Sequence, residues 1–163
     1  MASNNQFFLF AMNHKPSANK LTTIFPTFTS SKLSHMVSKI SEGVEISVDT
    51  FFQSDYSNPL NGEYMFAYRI TIENHNNFTI KLLRRHWHIF DSNGEHREVE
   101  DEGVVGIQPV LRPGEHYQYV SGCNLRTEMG RMHGSYLMEN QDTKGFFDVN
   151  IPSFDMIVPA KMN

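Results

Sequence analysis

Glu63-Tyr-Met-Phe-Ala-Tyr-Arg-Ile-Thr-Ile-Glu73 is the stretch that decides the fold class. Tyr64, Phe66, Tyr68, Ile70 and Ile72 fall on one face of an extended chain, while Met65, Ala67, Arg69, Thr71 and Glu73 fall on the other. The period is two, not 3.6, so the segment reads as a strand with one face buried.

The same period continues on both sides. Val44, Ile46 and Val48 alternate with Glu45, Ser47 and Asp49, and that strand ends in the polar Gln53–Gly62 loop with its Asn58-Pro59 turn signal. Ile80–Phe90 reads as the next strand, followed by the Asp91-Ser-Asn-Gly94 turn and a polar strand at Glu95–Val99. Asn-Gly between two strand patterns is a strong short-range hairpin signal. Further strands are expected at His116–Ser121, Met132–Glu139, Phe146–Ile151 and Phe154–Val158. About eight short strands with no amphipathic helix between them argue for an all-β, immunoglobulin-like antiparallel sandwich. In such a fold Trp87, on a central strand, takes the buried-Trp role, and Tyr136 the corner-Tyr role.

The chain has 163 residues, enough for one domain with a sizeable core, and its 39% hydrophobic and 12% aromatic content is that of a globular protein. No stretch approaches the ~20 apolar residues that span a bilayer, so no membrane partner is expected. The lone Cys123 excludes an intrachain disulfide and a multi-Cys zinc site, and it fits a reducing, cytoplasmic compartment.

Charge divides the chain. Residues 1–35 hold Lys15, Lys20 and Lys32 and no acid; of the 14 basic and 18 acidic side chains, 11 and 18 therefore remain beyond them, a net of −7. An acidic body repels phosphate backbones, which argues against nucleic-acid binding. Residues 1–35 are rich in Ser, Thr and Asn, contain no Arg, and carry apolar islands cut by Pro16 and Pro26. They read as a disordered extension or a mis-assigned start rather than a transit or signal peptide, with the domain occupying 36–163.

Several segments carry a family resemblance: Glu102-Gly-Val-Val-Gly-Ile-Gln-Pro109, Arg112-Pro-Gly-Glu115, Ser121-Gly-Cys-Asn-Leu-Arg-Thr127 and Gly130-Arg-Met-His-Gly-Ser-Tyr136. Arg85-His-Trp87, Asp91 with Gly94, and Ile151-Pro-Ser-Phe154 extend it. On these residues, from about Val37 to Pro159, the chain resembles the bacterial ApaG family. The resemblance implies a fibronectin-III-like sandwich. Similar domains fused to F-box and polymerase-associated proteins imply a protein-recognition part. The family's association with cobalt and magnesium resistance implies an indirect link to divalent-cation homeostasis and does not establish metal binding.

Three constellations could carry chemistry. Relatives usually show Gly-x-Gly-x-x-Gly where this chain has Asp101, Gly103 and Gly106; with Arg112, these form a candidate loop for pyrophosphate or a nucleotide. A dinucleotide-type cradle needs a helix N-terminus after the glycines, and Gln108-Pro109 in a β-rich context does not supply one. Glu100, Asp101 and Glu102 also repel an anion, each costing about 1 kcal/mol at ~4 Å even at water's dielectric, so binding there calls for a bridging cation. The competing reading is that Gly103 and Gly106 allow an unusual strand-edge loop.

The second constellation is His86, His88 and His96, with Asp91 and the acid run, as weak metal candidates against a solvated polar hairpin; no cofactor is expected. The third is Arg84, Arg85, Arg97, Arg112, Arg126 and Arg131, for which pairing with the abundant acids is favoured over an anion-recognition patch. No nucleophile elbow, Walker lysine or His-Glu-x-x-His motif is present. The expectation is a non-enzymatic binding module with a protein partner, a homodimer being an alternative assembly; the competing expectation is a small-ligand binder.

Overall fold

Alternation becomes a pair of packed ladders in the computed structural model, which describes residues 36–159. The expectation for residues 1–35 lies outside the described residues. In chain order the strands are β1 (Val37–Ser41), β2 (Val44–Phe52), β3 (Tyr64–Asn74), β4 (Ile80–Asp91), β5 (His96–Glu102), β6 (Val110–Leu111), β7 (His116–Leu125), β8 (Met129–Asn140) and β9 (Phe146–Ile157). Among the described residues there is no α-helix, only 3-10 turns at Ser54–Tyr56 and Pro59–Asn61 within the predicted loop. One sheet runs β1-β2-β3-β7 and the other β5-β4-β8-β9, with β6 also paired to β4. Every pairing is antiparallel, giving the all-β sandwich.

The inward set is the one read from the sequence. Phe66, Tyr68, Ile70 and Ile72 of β3 are buried with Val44, Ile46 and Val48 of β2. From the other sheet, Leu82, Trp87, Ile89, Met132, Tyr136 and Met138 meet them. Trp87 packs edge-on against Tyr68, Tyr136 and Phe154 at centroid separations of 5.7, 6.4 and 5.9 Å, the geometry that aligns a ring's positive edge with a neighbour's negative face.

Tyr136 departs from the corner role. It lies within β8, fully buried, and its hydroxyl meets that of Tyr119 at 2.5 Å, tying the two sheets together through the core. Burial raises both phenols well above their ordinary range, so the bond stays neutral. Tyr136→Phe leaves the Tyr119 hydroxyl buried without this partner and should cost about 1–3 kcal/mol in urea unfolding. Adding Tyr119→Phe should cost less than the two single changes summed; strict additivity would show that the hydroxyls do not interact.

Three other differences have physical reasons. β9 runs through Pro152, where the sequence pattern breaks into two strands. Among the described residues β9 is an edge strand paired only with β8, and the register shift between Met132 and Gly134 leaves one more residue on the β9 side, so the missing proline N–H interrupts no central ladder. β1 is too short for periodicity to reveal. The polar strand expected to end at Val99 continues through Glu102, because Arg84 and Arg85 of β4 lie opposite Glu102 and Asp101. Asp91, buried at the hairpin start, accepts from the Arg126 backbone N–H and the Thr127 hydroxyl, anchoring the β7–β8 turn.

Candidate functional site

The glycine loop is built by backbone geometry. Val105 and Gly106 both adopt positive φ, 52° and 74°, between Val104 and Ile107, whose N–H groups each donate to the other's carbonyl at 2.7 and 3.0 Å. That is a tight primed turn. The Gly103 N–H donates to the Leu83 carbonyl at 2.8 Å, and a Cβ at Gly103 would lie 2.2 Å from the Ile107 oxygen. Asp101 Oδ2 accepts from Arg85 Nη2 at 3.0 Å, while Arg85 Nη1 donates to the Gly103 carbonyl at 2.7 Å. Asp101 is thus an anchor for the arginine that braces the loop. Arg112 lies in the turn after β6, where its N–H donates to Glu115 Oε2 at 2.8 Å and its side chain is exposed.

Beside this loop the sandwich has a seam. β5 ends one sheet and β7 ends the other, and Arg97 crosses between them, donating to the Asn124 carbonyl at 2.6 Å. A cavity of about 160 Å³ lies there, lined by Trp87, Arg85, Val99, Tyr119, Ser121 and Cys123 among others. The Trp87 indole N–H is buried with no hydrogen-bond partner among the described residues. Burial pushes the Cys123 thiol up to about 11, with the nearby Arg97 only partly offsetting it, so the sulfur is a protonated, unreactive wall.

The third feature is the outer face of the second sheet. His86 and His88 of β4, Glu98 of β5, His96 of β5 and His133 of β8 meet there because the hairpin register sets His88 opposite Glu98 and the β4–β8 ladder sets His88 opposite His133. His86 Nε2 lies 3.0 Å from Glu98 Oε2; His88 Nδ1 and His96 Nε2 lie 3.6 and 3.9 Å from Glu98 Oε1. The His86 imidazole bonded to it holds the Glu98 carboxyl below its usual range, and the charges of His88 and His96 act the same way. Burial, then the neighbouring His88, pushes the His133 imidazole down.

A family model for the ApaG domain matches residues 54–140, or 87 of 163. The chain belongs to the ApaG family. Protein ApaG of Brucella canis is 44% identical over 126 residues, covering 77% of this chain and 96% of that protein. Protein ApaG of Allorhizobium ampelinum is 41% identical over 124 residues, covering 76% and 95%. Among solved structures, a protein of Bordetella pertussis assigned as ApaA superposes with a TM-score of 0.69 at 36% identity, covering 71% of this chain and 94% of that one. Among the described residues no helix is long and apolar enough to cross a membrane.

Within this ApaG domain the sequence candidates separate. Asp101, Gly103 and Gly106 share the loop, and Arg112 stands apart. His86, His88 and His96 do converge, whereas Asp91 turns inward to the β7–β8 turn. The arginines disperse: Arg84 pairs with Glu100 at 3.2 Å and Arg131 with Asp155 at 2.6 Å. Sequence reasoning missed Glu98 and His133. Glu98 was within reach, since Phe90 opposite His96 fixes His88 opposite Glu98. His133 comes from a long-range ladder that no local pattern announces.

Proposed function

We propose that this ApaG domain is a non-enzymatic protein-interaction module that receives an extended partner segment along β5, with an apolar side chain of that segment in the seam. The observation that carries it is the seam cavity with its unpartnered Trp87 N–H beside an edge strand. A cavity near 150 Å³ takes up a benzene-sized group, so a branched or aromatic side chain fits. An edge strand offers backbone groups to an added strand, which reads alternate side chains by their two faces.

Those faces differ in chemistry. Glu98, Glu100 and Glu102 alternate along β5 with Arg97, Val99 and Asp101, and Val99, Glu100 and Asp101 line the cavity. A partner that sets basic residues against the acids and an apolar side chain beside Val99 therefore complements the strand. A second copy of the chain presents the same acids, which disfavours β5-to-β5 pairing. Pyrophosphate or a nucleotide has less to hold it, because the Gly103, Val104 and Ile107 amides already donate within the protein. An effect on cation homeostasis is indirect on this reading, through the partner.

Trp87 is the chain's single tryptophan and lines the seam, so its fluorescence reports occupancy. A short peptide alternating lysine with valine around a central phenylalanine should change that emission saturably. Joint Glu100→Lys and Glu102→Lys should weaken it at least about tenfold, more than the screening of a surface charge alone. Equal affinity for the doubly substituted chain would contradict the charge pattern.

A further inference from the structure

The histidine face holds a donor set of which the interaction reading uses only Glu98. His86, His88 and Glu98 each place a ligand atom within 4.8 Å of the others. Tetrahedral coordination at ~2.0–2.1 Å sets ligand atoms about 3.3 Å apart. His86 Nε2 stands 3.0 Å from Glu98 Oε2 and His88 Nδ1 3.6 Å from Oε1, so the two imidazoles approach the two oxygens of one carboxylate at close to that spacing. The third pair, His86 and His88, lies within the same 4.8 Å, with ring centroids 4.4 Å apart.

Surrounding rings restrict His88. His133 stacks on it at 4.8 Å and 19°, and His96 lies parallel to it at 5.7 Å and 5°. Phe90 stacks in turn on His96 at 4.4 Å and on His133 at 5.6 Å. A ring held this way loses less freedom on binding, the usual contribution of groups around a ligating imidazole. His96 Nε2, 3.9 Å from Glu98 Oε1, offers a further nitrogen donor.

We propose that His86, His88 and Glu98 form a binding site for a divalent first-row transition cation on the outer face of β4 and β5, with His96 as an additional ligand and His133 as a positioning residue. Two imidazoles and a carboxylate suit cobalt, nickel, copper or zinc; magnesium and calcium prefer all-oxygen sites. Solvent occupies the remaining coordination positions.

The test is calorimetry and visible absorption on the full chain without a polyhistidine tag, titrated with cobalt(II), zinc(II) and magnesium(II). The expected result is one cobalt or zinc per chain, a cobalt d–d band, and no magnesium heat. His88→Ala and the near-isosteric Glu98→Gln should each raise Kd at least about tenfold, the scale of losing a metal-supporting group. His75→Ala, in the separate Glu45, Glu73 and His75 group, should leave it unchanged. Cobalt binding that survives both His88→Ala and Glu98→Gln, binding lost with His75→Ala, or no cobalt binding at all would overturn the assignment. The peptide experiment is run without metal, so either result stands without the other.

Discussion

Trp87→Ala is expected to lose about 3–5 kcal/mol of unfolding free energy, the usual cost of deleting a large buried aromatic. Trp87 is 2% exposed and contacts aromatic rings from β3, β8 and β9, so truncation removes edge-to-face contacts to Tyr68, Tyr136 and Phe154 together. The space it leaves joins the seam cavity, which the core does not already fill. One effect runs the other way, because the unpartnered indole N–H disappears with the ring and its desolvation penalty goes with it. Trp87→Phe, which removes the N–H but keeps a ring, should therefore cost less than half as much. Urea unfolding with an unchanged m-value checks both; a loss below about 1 kcal/mol for Trp87→Ala would remove Trp87 from the core account.

Gly103→Ala should cost roughly 2–4 kcal/mol, combining left-handed strain with a clash that local adjustment cannot relieve. Its φ is +59°, and the added Cβ would meet the Ile107 carbonyl, itself held by the Val104 N–H. Gly106→Ala is the control: φ is +74° but nothing lies within 4 Å, so only about 1 kcal/mol of backbone strain remains. Similar costs at the two positions would contradict the structural account of the loop. The two glycines look equivalent in a motif, and only the hairpin separates them.

The strands were legible because β2, β3 and the start of β4 each bury one face, which writes a period of two directly into the residue types. The charged half of β5 was not, since an exposed edge strand has little apolar alternation to show. Pro152 misled for a related reason: the rule that proline ends a strand holds for central ladders, and β9 is an edge. At the sites, adjacent residues such as His86 and His88 could be grouped from the sequence. The seam could not, because Arg85, Trp87, Tyr119 and Ser121 come from strands of two different sheets, and their meeting depends on which edges align. Asp101, read as one of three carboxylates repelling an anion, faces Arg85, whereas Glu100 on the alternate face pairs with Arg84.

The central claim is that the seam beside β5 receives an extended segment, and backbone amide NMR of the labelled chain with the lysine–valine–phenylalanine peptide tests it most directly. The account predicts the largest shifts at the Trp87 indole N–H and along β5 and β7, with slowed hydrogen exchange at the β5 amides that point away from β4. Shifts confined to the β1–β2 side of the sandwich, or an indole N–H that does not respond while the peptide binds, would contradict it.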